Sequence, residues 1–182
     1  MFYCFLAKGF EEIEAITTVD MLRRVSVDVA TVSVDTDAQN LVEGAHGVFI
    51  KADMGIDEID FENIEGVILP GGMPGTINLE MSEGVIKTLD YCIKNDLYVF
   101  AICAAPQILG HKGILEGKKA TCYPGFEAEL KGADLSNLPA VKDGKVITAK
   151  GPGATVDFAT EIIKELKGES KALELKESMQ CS

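Results

Sequence analysis

Apolar residues along this chain follow two rhythms. Runs rich in β-branched and aromatic residues, at Phe2 to Ala7, Val27 to Val34, Ile64 to Leu69, Leu97 to Ile102 and Lys145 to Thr148, predict strands. Between them the apolar positions space out as on helices. Phe10, Ile13, Ile16, Val19 and Leu22 recur every third residue. Glu11 and Glu12 lie in the first turn and Arg23 and Arg24 in the last, the placement a helix dipole favours. Ser82 opens a second helix with Val85, Ile86, Leu89, Cys92 and Ile93 on one face. A third follows Lys150-Gly-Pro-Gly153, carries Phe158, Ala159, Ile162, Ile163 and Leu166 on one face, and stops at Gly168. Shorter helices are predicted from Cys103 towards His111 and in the tail, Lys171 to Ser182.

Strand, helix and strand at these lengths make βαβ units. A series of them predicts a mostly parallel sheet with helices on both faces, in one α/β domain over residues 1–182. Asn40 to Asp53 reads as a hairpin or irregular strand pair, Lys119 to Cys122 as a short strand, and Pro124 to Leu130 as a short helix or lid. Asp143-Gly144 is a hairpin turn. Function in parallel sheets collects at the carboxyl ends of strands. Three turns are predicted there: Lys8 to Glu11, Pro70-Gly71-Gly72, and Cys103-Ala104.

The last of these carries the chemistry. Cys103 sits between an apolar run and a helix-compatible one, flanked by Ala101, Ala104 and Ala105. Small neighbours are what a tight strand-to-helix turn with a nucleophile at its apex requires. A thiol there faces the positive end of the following helix, which favours thiolate. The bland alternative is a buried, inert cysteine ending a core strand. Glu14 lies one helical turn past Glu11 and is placed to reach over the strand ends, or it solvates a helix face with Glu11 and Glu12. Gly71 and Gly72 form an ordinary turn, or they let the backbone approach a ligand so that the Gly72 and Ala104 N–H groups make an oxyanion hole.

Charge and composition narrow the classes. A net charge of −12 argues against nucleic-acid and anionic-membrane binding. The start of the chain does not read as a signal peptide, no apolar run is long enough to span a bilayer, and a cytoplasmic protein is expected. The five cysteines, Cys4, Cys92, Cys103, Cys122 and Cys181, are odd in number and irregularly spaced, which fits reduced thiols better than disulfides or a zinc site. The spacing of glycines matches no phosphate loop, and no cofactor or metal is signalled. Only His46 and His111 are available to a Cys–His dyad.

Six motifs in order resemble the DJ-1/PfpI (ThiJ-like) family: LAKGFEEIEA at Leu6 to Ala15, VDMLRR at Val19 to Arg24, LPGGMPG at Leu69 to Gly75, AICAAP at Ala101 to Pro106, ATCYPGFE at Ala120 to Glu127, and TAKGPGA at Thr148 to Ala154. The resemblance implies a flavodoxin-like three-layer sandwich, a homodimer, Cys103 as reactive cysteine and Glu14 as the carboxyl touching it. A protonated Glu14 would donate a hydrogen bond to the thiolate or to its sulfinate. Gly72 and Ala104 are expected at the reacting oxygen, and Glu11, Gly71, Tyr123 and Pro152 around the substrate. Some family members carry a histidine where this chain has Tyr123, so a peptidase triad is not expected; Tyr123 either hydrogen-bonds a substrate oxygen or packs. His46 falls in a region resembling the family's dimer contact. The expected function is glutathione-independent conversion of small dicarbonyls, glyoxalase or deglycase in type. The alternatives are an oxidative-stress thiol sensor or chaperone and, third, a cysteine peptidase.

Overall fold

The computed structural model describes residues 1–35 and 39–181. Its strands are β1 (Phe2–Leu6), β2 (Val29–Ser33), β3 (Leu41–Glu43), β4 (Phe49–Lys51), β5 (Met54–Gly55), β6 (Gly66–Leu69), β7 (Tyr98–Ile102), β8 (Lys119–Ala120), β9 (Asp134–Leu135), β10 (Ala140–Asp143) and β11 (Val146–Ala149). Its helices are α1 (Glu12–Arg24), α2 (Gly75–Met81), α3 (Glu83–Lys94), α4 (Pro106–His111), α5 (Thr155–Lys167) and α6 (Glu169–Ser178).

Seven strands form one sheet in the order β10-β11-β7-β6-β1-β2-β5. All neighbours are parallel except the β10–β11 hairpin at one edge. The buried runs of β1, β2, β6 and β11 have no exposed face because helices cover both sides. Alternation along β1 shows how. Phe2, Cys4 and Leu6 enter a core with residues of α1, α5 and α6, while Tyr3, Phe5 and Ala7 enter a second core with residues of α3 and α4. The result is the expected three-layer sandwich. Among the described residues no helix is long and apolar enough to cross a membrane.

Several elements depart from their sequence expectations. The stripe at every third residue is only partly the buried face of α1: Ile13 is 53% exposed while Val19 and Leu22 are buried, together with Glu14, Ala15, Thr18 and Met21 from outside the stripe. A step of three residues covers only 300° of helix, so such a stripe drifts by 60° per step and cannot stay on one face. On α3, Ser82 caps by accepting from the Val85 N–H at 3.4 Å, but Ile93 at the last turn is exposed. Helix α2 and strand β9 were not expected. The Pro124 to Leu130 segment is a loop ending in one 3-10 turn, Glu127–Glu129. A 3-10 turn, Pro152–Ala154, precedes α5, and α6 begins directly at the positive-φ Gly168. Ser182, in the predicted tail helix, lies outside the described residues.

Candidate active site

Four adjacent strands, β11, β7, β6 and β1, deliver their carboxyl ends to one place. Sheet order reverses direction beside β1, with β2 on one side and β6 on the other, and the crevice at such a reversal is where parallel α/β sheets bind ligands.

Cys103 follows β7 directly and has a φ of +66°, a left-handed conformation that costs a non-glycine residue about 1–3 kcal/mol. The turn is held from both sides. The Cys103 N–H donates to the Ala149 carbonyl at 2.9 Å, and its own carbonyl accepts from the Tyr123 N–H at 2.8 Å. The residue is 8% exposed.

Glu14 reaches this turn from α1 and is fully buried. The Gly71 N–H donates to Glu14 Oε2 at 2.7 Å, and the Glu11 N–H donates to the Gly71 carbonyl at 2.9 Å, so both polar groups of Gly71 are tied to the start of α1. Glu14 Oε1 is buried with no hydrogen-bond partner among the described residues, and the Cys103 side chain acts on the same carboxyl. Gly71 has to be glycine. A Cβ there would lie 2.6 Å from Cys103 Cβ and 2.8 Å from Glu14 Oε2. At Gly72, φ is +91° and a Cβ would strike the backbone at Glu11 and Gly9.

The electrostatics reverse one sequence expectation. The Cys103 thiol is not lowered but pushed up to about 12, by burial first and then by the Glu14 charge and hydrogen bond; the N–H groups of Gly72 and Ala104 pull the other way. The helix expected to favour thiolate is α4, only six residues long, and it begins at Pro106, which has no N–H to offer. Burial likewise raises Glu14 to about 7, against the lowering effect of the Gly71 N–H and the Cys103 thiol, with the Glu11 charge adding to the rise. Carboxyl and thiol together hold two protons in acid, one at neutral pH and none only in strong base.

The structure thus brings Cys103, Glu14, Gly71, Gly72 and Ala104 together. Glu11 flanks Glu14 through its charge. Tyr123 and Pro152 line an apolar cleft of about 290 Å³ with Pro124, Pro139 and Gly151. Gly151 was missed from sequence: a Cβ on it would lie 2.9 Å from Tyr123 Cδ2 and 3.8 Å from Cys103 Sγ. Its motif, Lys150-Gly-Pro-Gly153, reads from sequence as a helix start within a family motif, with Pro152 alone placed at the substrate. Neither histidine reaches the sulfur. His46 pairs with Glu12 and Glu11, and His111 with Glu80 and Glu129. No Cys–His–acid arrangement forms among the described residues of this chain.

Known proteins resemble this chain. The family model described as DJ-1/PfpI family matches residues 2–165. Protein DJ-1 homolog B of Arabidopsis thaliana is 36% identical over 172 residues, covering 93% of this chain and 39% of its own length. The chain spans less than half of that protein and of its sister, homolog A. Protein dj-1beta of Drosophila melanogaster is 33% identical over 172 residues, covering 93% of this chain and 91% of its own. The structure of oxidized DJ-1 from Toxoplasma gondii matches with a TM-score of 0.92 at 29% identity, covering 98% of this chain and 97% of that one. With its sandwich fold and a model match over nearly its whole length, the chain belongs to the DJ-1/PfpI family.

Proposed function

We propose that the protein converts small α-dicarbonyls such as methylglyoxal to 2-hydroxy acids without glutathione, in a reaction centred on Cys103. The observation that carries this reading is the buried Glu14 carboxyl, held by the Gly71 N–H at 2.7 Å on Oε2 and interacting with the Cys103 side chain.

The chemistry needs a nucleophile and a group that moves a proton between adjacent carbons. At neutral pH the pair carries one negative charge and one proton. The reactive form has the proton on Glu14 and the charge on sulfur, where the Gly72 and Ala104 N–H groups favour it. Sulfur adds to the aldehyde carbon, and the carbonyl oxygen takes the Glu14 proton, giving a hemithioacetal. The carboxylate then removes the proton from that carbon and returns it to the neighbouring one, while the hemithioacetal hydroxyl gives its proton to the second carbonyl oxygen, which leaves a 2-hydroxy thioester. Water cleaves the thioester, releasing the acid and restoring the thiol. The same adduct formed on an amine or thiol of another molecule makes the reaction a deglycation. A carboxyl tuned to about 7 serves as both acid and base.

A lactate assay on purified protein supplied with methylglyoxal tests this directly. Turnover is expected in the wild type and absent in Cys103→Ser at unchanged fold. Equal turnover in the two proteins would sink the mechanism.

A second reading, a thiol sensor or chaperone, rests on the Gly72 and Ala104 N–H groups, which act on the sulfur itself, where an oxygen of a sulfenate or sulfinate would sit. A relative has been solved in oxidized form. Mild peroxide adding one or two oxygen atoms to Cys103, in a protein with no dicarbonyl turnover, would favour it.

The functional unit we propose is a cytoplasmic homodimer. All five cysteines are free, as a reducing compartment allows. Ile13 on α1 and Leu41, Val48 and Phe49 on the hairpin are exposed apolar groups on two elements joined by the His46 N–H bond to Glu12.

A further inference from the structure

Cys103 ends β7, the strand between β6 and β11, so different segments build the two sides of its sulfur. From β6 and α1 come Gly71, Gly72 and Glu14, the side the proposed reaction uses. From the end of β11 comes Gly151, where a Cβ would lie 3.8 Å from the sulfur and 2.9 Å from Tyr123 Cδ2. The backbone of Gly151 is extended, with φ 161° and ψ −166°, a conformation open to any residue. No turn calls for glycine there. What its missing side chain leaves is direct adjacency between the sulfur and the cleft of about 290 Å³ that Tyr123 lines.

The wall this cleft presents is carbon. Three of its residues, Pro124, Pro139 and Pro152, contribute rings and no N–H. Other polar groups at the wall are already partnered. The Lys150 N–H donates to the Pro139 carbonyl at 3.0 Å, the Ala154 N–H to the Gly151 carbonyl at 2.8 Å, and the Thr155 hydroxyl to the Pro152 carbonyl at 2.8 Å. The Lys150 ammonium donates to the Asn137 carbonyl at 2.6 Å. Tyr123 is held at both ends: its N–H donates to the Cys103 carbonyl at 2.8 Å, and its ring meets Phe126 at 76° with centroids 6.5 Å apart.

We propose that this cleft receives the substituent on the ketone carbon of an α-keto aldehyde, and that it selects branched or aromatic hydrocarbon groups over the methyl of methylglyoxal. The inference rests on the dicarbonyl reading and names its substrate class. Once sulfur is bonded to the aldehyde carbon, the ketone carbon is one bond further on. Its substituent has to leave the polar side clear for Glu14 to move the proton, and the β11 side is where space adjoins the sulfur. A phenyl or isobutyl group laid against Tyr123 and Pro152 exchanges water for carbon contacts. A substituent bearing hydroxyls or charge loses its water there and finds no partner. Tyr123 and Gly151 are then the residues that set specificity, one as wall and one as passage.

The test compares kcat/KM for methylglyoxal, isobutylglyoxal and phenylglyoxal. It should rise at least about tenfold from methyl to the larger groups. Tyr123→Ala, which trims a half-exposed ring, and Gly151→Ala, which sets a methyl in the passage, should each remove that rise with circular dichroism unchanged. A second readout needs no turnover. Alkylation of Cys103 by N-benzyl iodoacetamide and by iodoacetamide is followed by peptide mass, with both rates normalised to N-acetylcysteine. The benzyl reagent should be favoured in the wild type and lose its advantage in both variants. Turnover of none of the three dicarbonyls, with the benzyl preference present, would sink the reaction and support the cleft. Equal kcat/KM across the series, a rise that survives in both variants, or equal normalised alkylation in a protein without turnover would each overturn the assignment of the cleft.

Discussion

Glu14 is an acid whose folded form resists ionisation, and this has consequences for rate and stability. Its group is raised from 4.5 to about 7, chiefly by burial. Activity that needs one proton removed from the Glu14–Cys103 pair should climb about tenfold per pH unit below 7 and level off above it. Glu14→Gln keeps an acceptor for the Gly71 N–H but has no proton to shuttle, so kcat/KM should fall by about 10²–10⁴-fold and the inflection should vanish from its pH–rate profile. For stability the sign runs the other way from an ordinary salt-bridged carboxylate. The folded state binds the extra proton between 4.5 and about 7, so its contribution is complete below 4.5 and is lost as pH rises through 7. The loss is on the order of 3 kcal/mol. Urea unfolding at pH 5 and pH 8 should therefore show Glu14→Gln losing less stability than wild type over that interval; equal losses would mean that burial does not hold the proton.

At the scale of elements, the site is a junction of turns at the ends of neighbouring strands, each made by residues with little or no side chain. Gly71→Ala places a methyl against both Cys103 and Glu14. Overpacking of this kind costs about 1–3 kcal/mol, and an ångström of misplacement in the pair should lower turnover about 10²-fold. Denaturant unfolding and kcat/KM measured on one preparation check both. The turns themselves were legible in the sequence, because Pro70-Gly71-Gly72 and the alanines around Cys103 are local signals. The elements that went unread lack such signals. Helix α2 has seven residues and no strong apolar stripe, and β9 has two residues and no buried face. The apolar spacing predicts α1 but not its whole core face, which includes Glu14 and Thr18 beside Val19 and Leu22 and which no hydrophobic pattern reports.

At the scale of the whole molecule, the hairpin β3–β4 divides its residues cleanly. Val42 is buried and Ile50 packs against the core on one side, while Leu41 and Phe49 share the outer side and are 40% and 57% exposed. Together with Ile13 they form the surface through which the homodimer is proposed to assemble. Phe49→Glu should convert a dimer to a monomer in sedimentation velocity without changing the circular dichroism. A wild type that sediments as a monomer at all concentrations would remove the proposal.

What the sequence determined by itself is the alternation of strand and helix, the parallel core, the small-residue turn at Cys103 and the glycine turn at 70–72. These depend on interactions within a few residues, and composition and spacing record them. Only the tertiary structure decided that Glu14 is buried against the sulfur, that the thiol is raised and not lowered, that Gly151 borders the reactive atom, and that Glu12 meets a histidine 34 positions away on another element. Burial, and the electric cost that follows from it, depends on what the rest of the chain packs around a group, and no local pattern of residues carries that information.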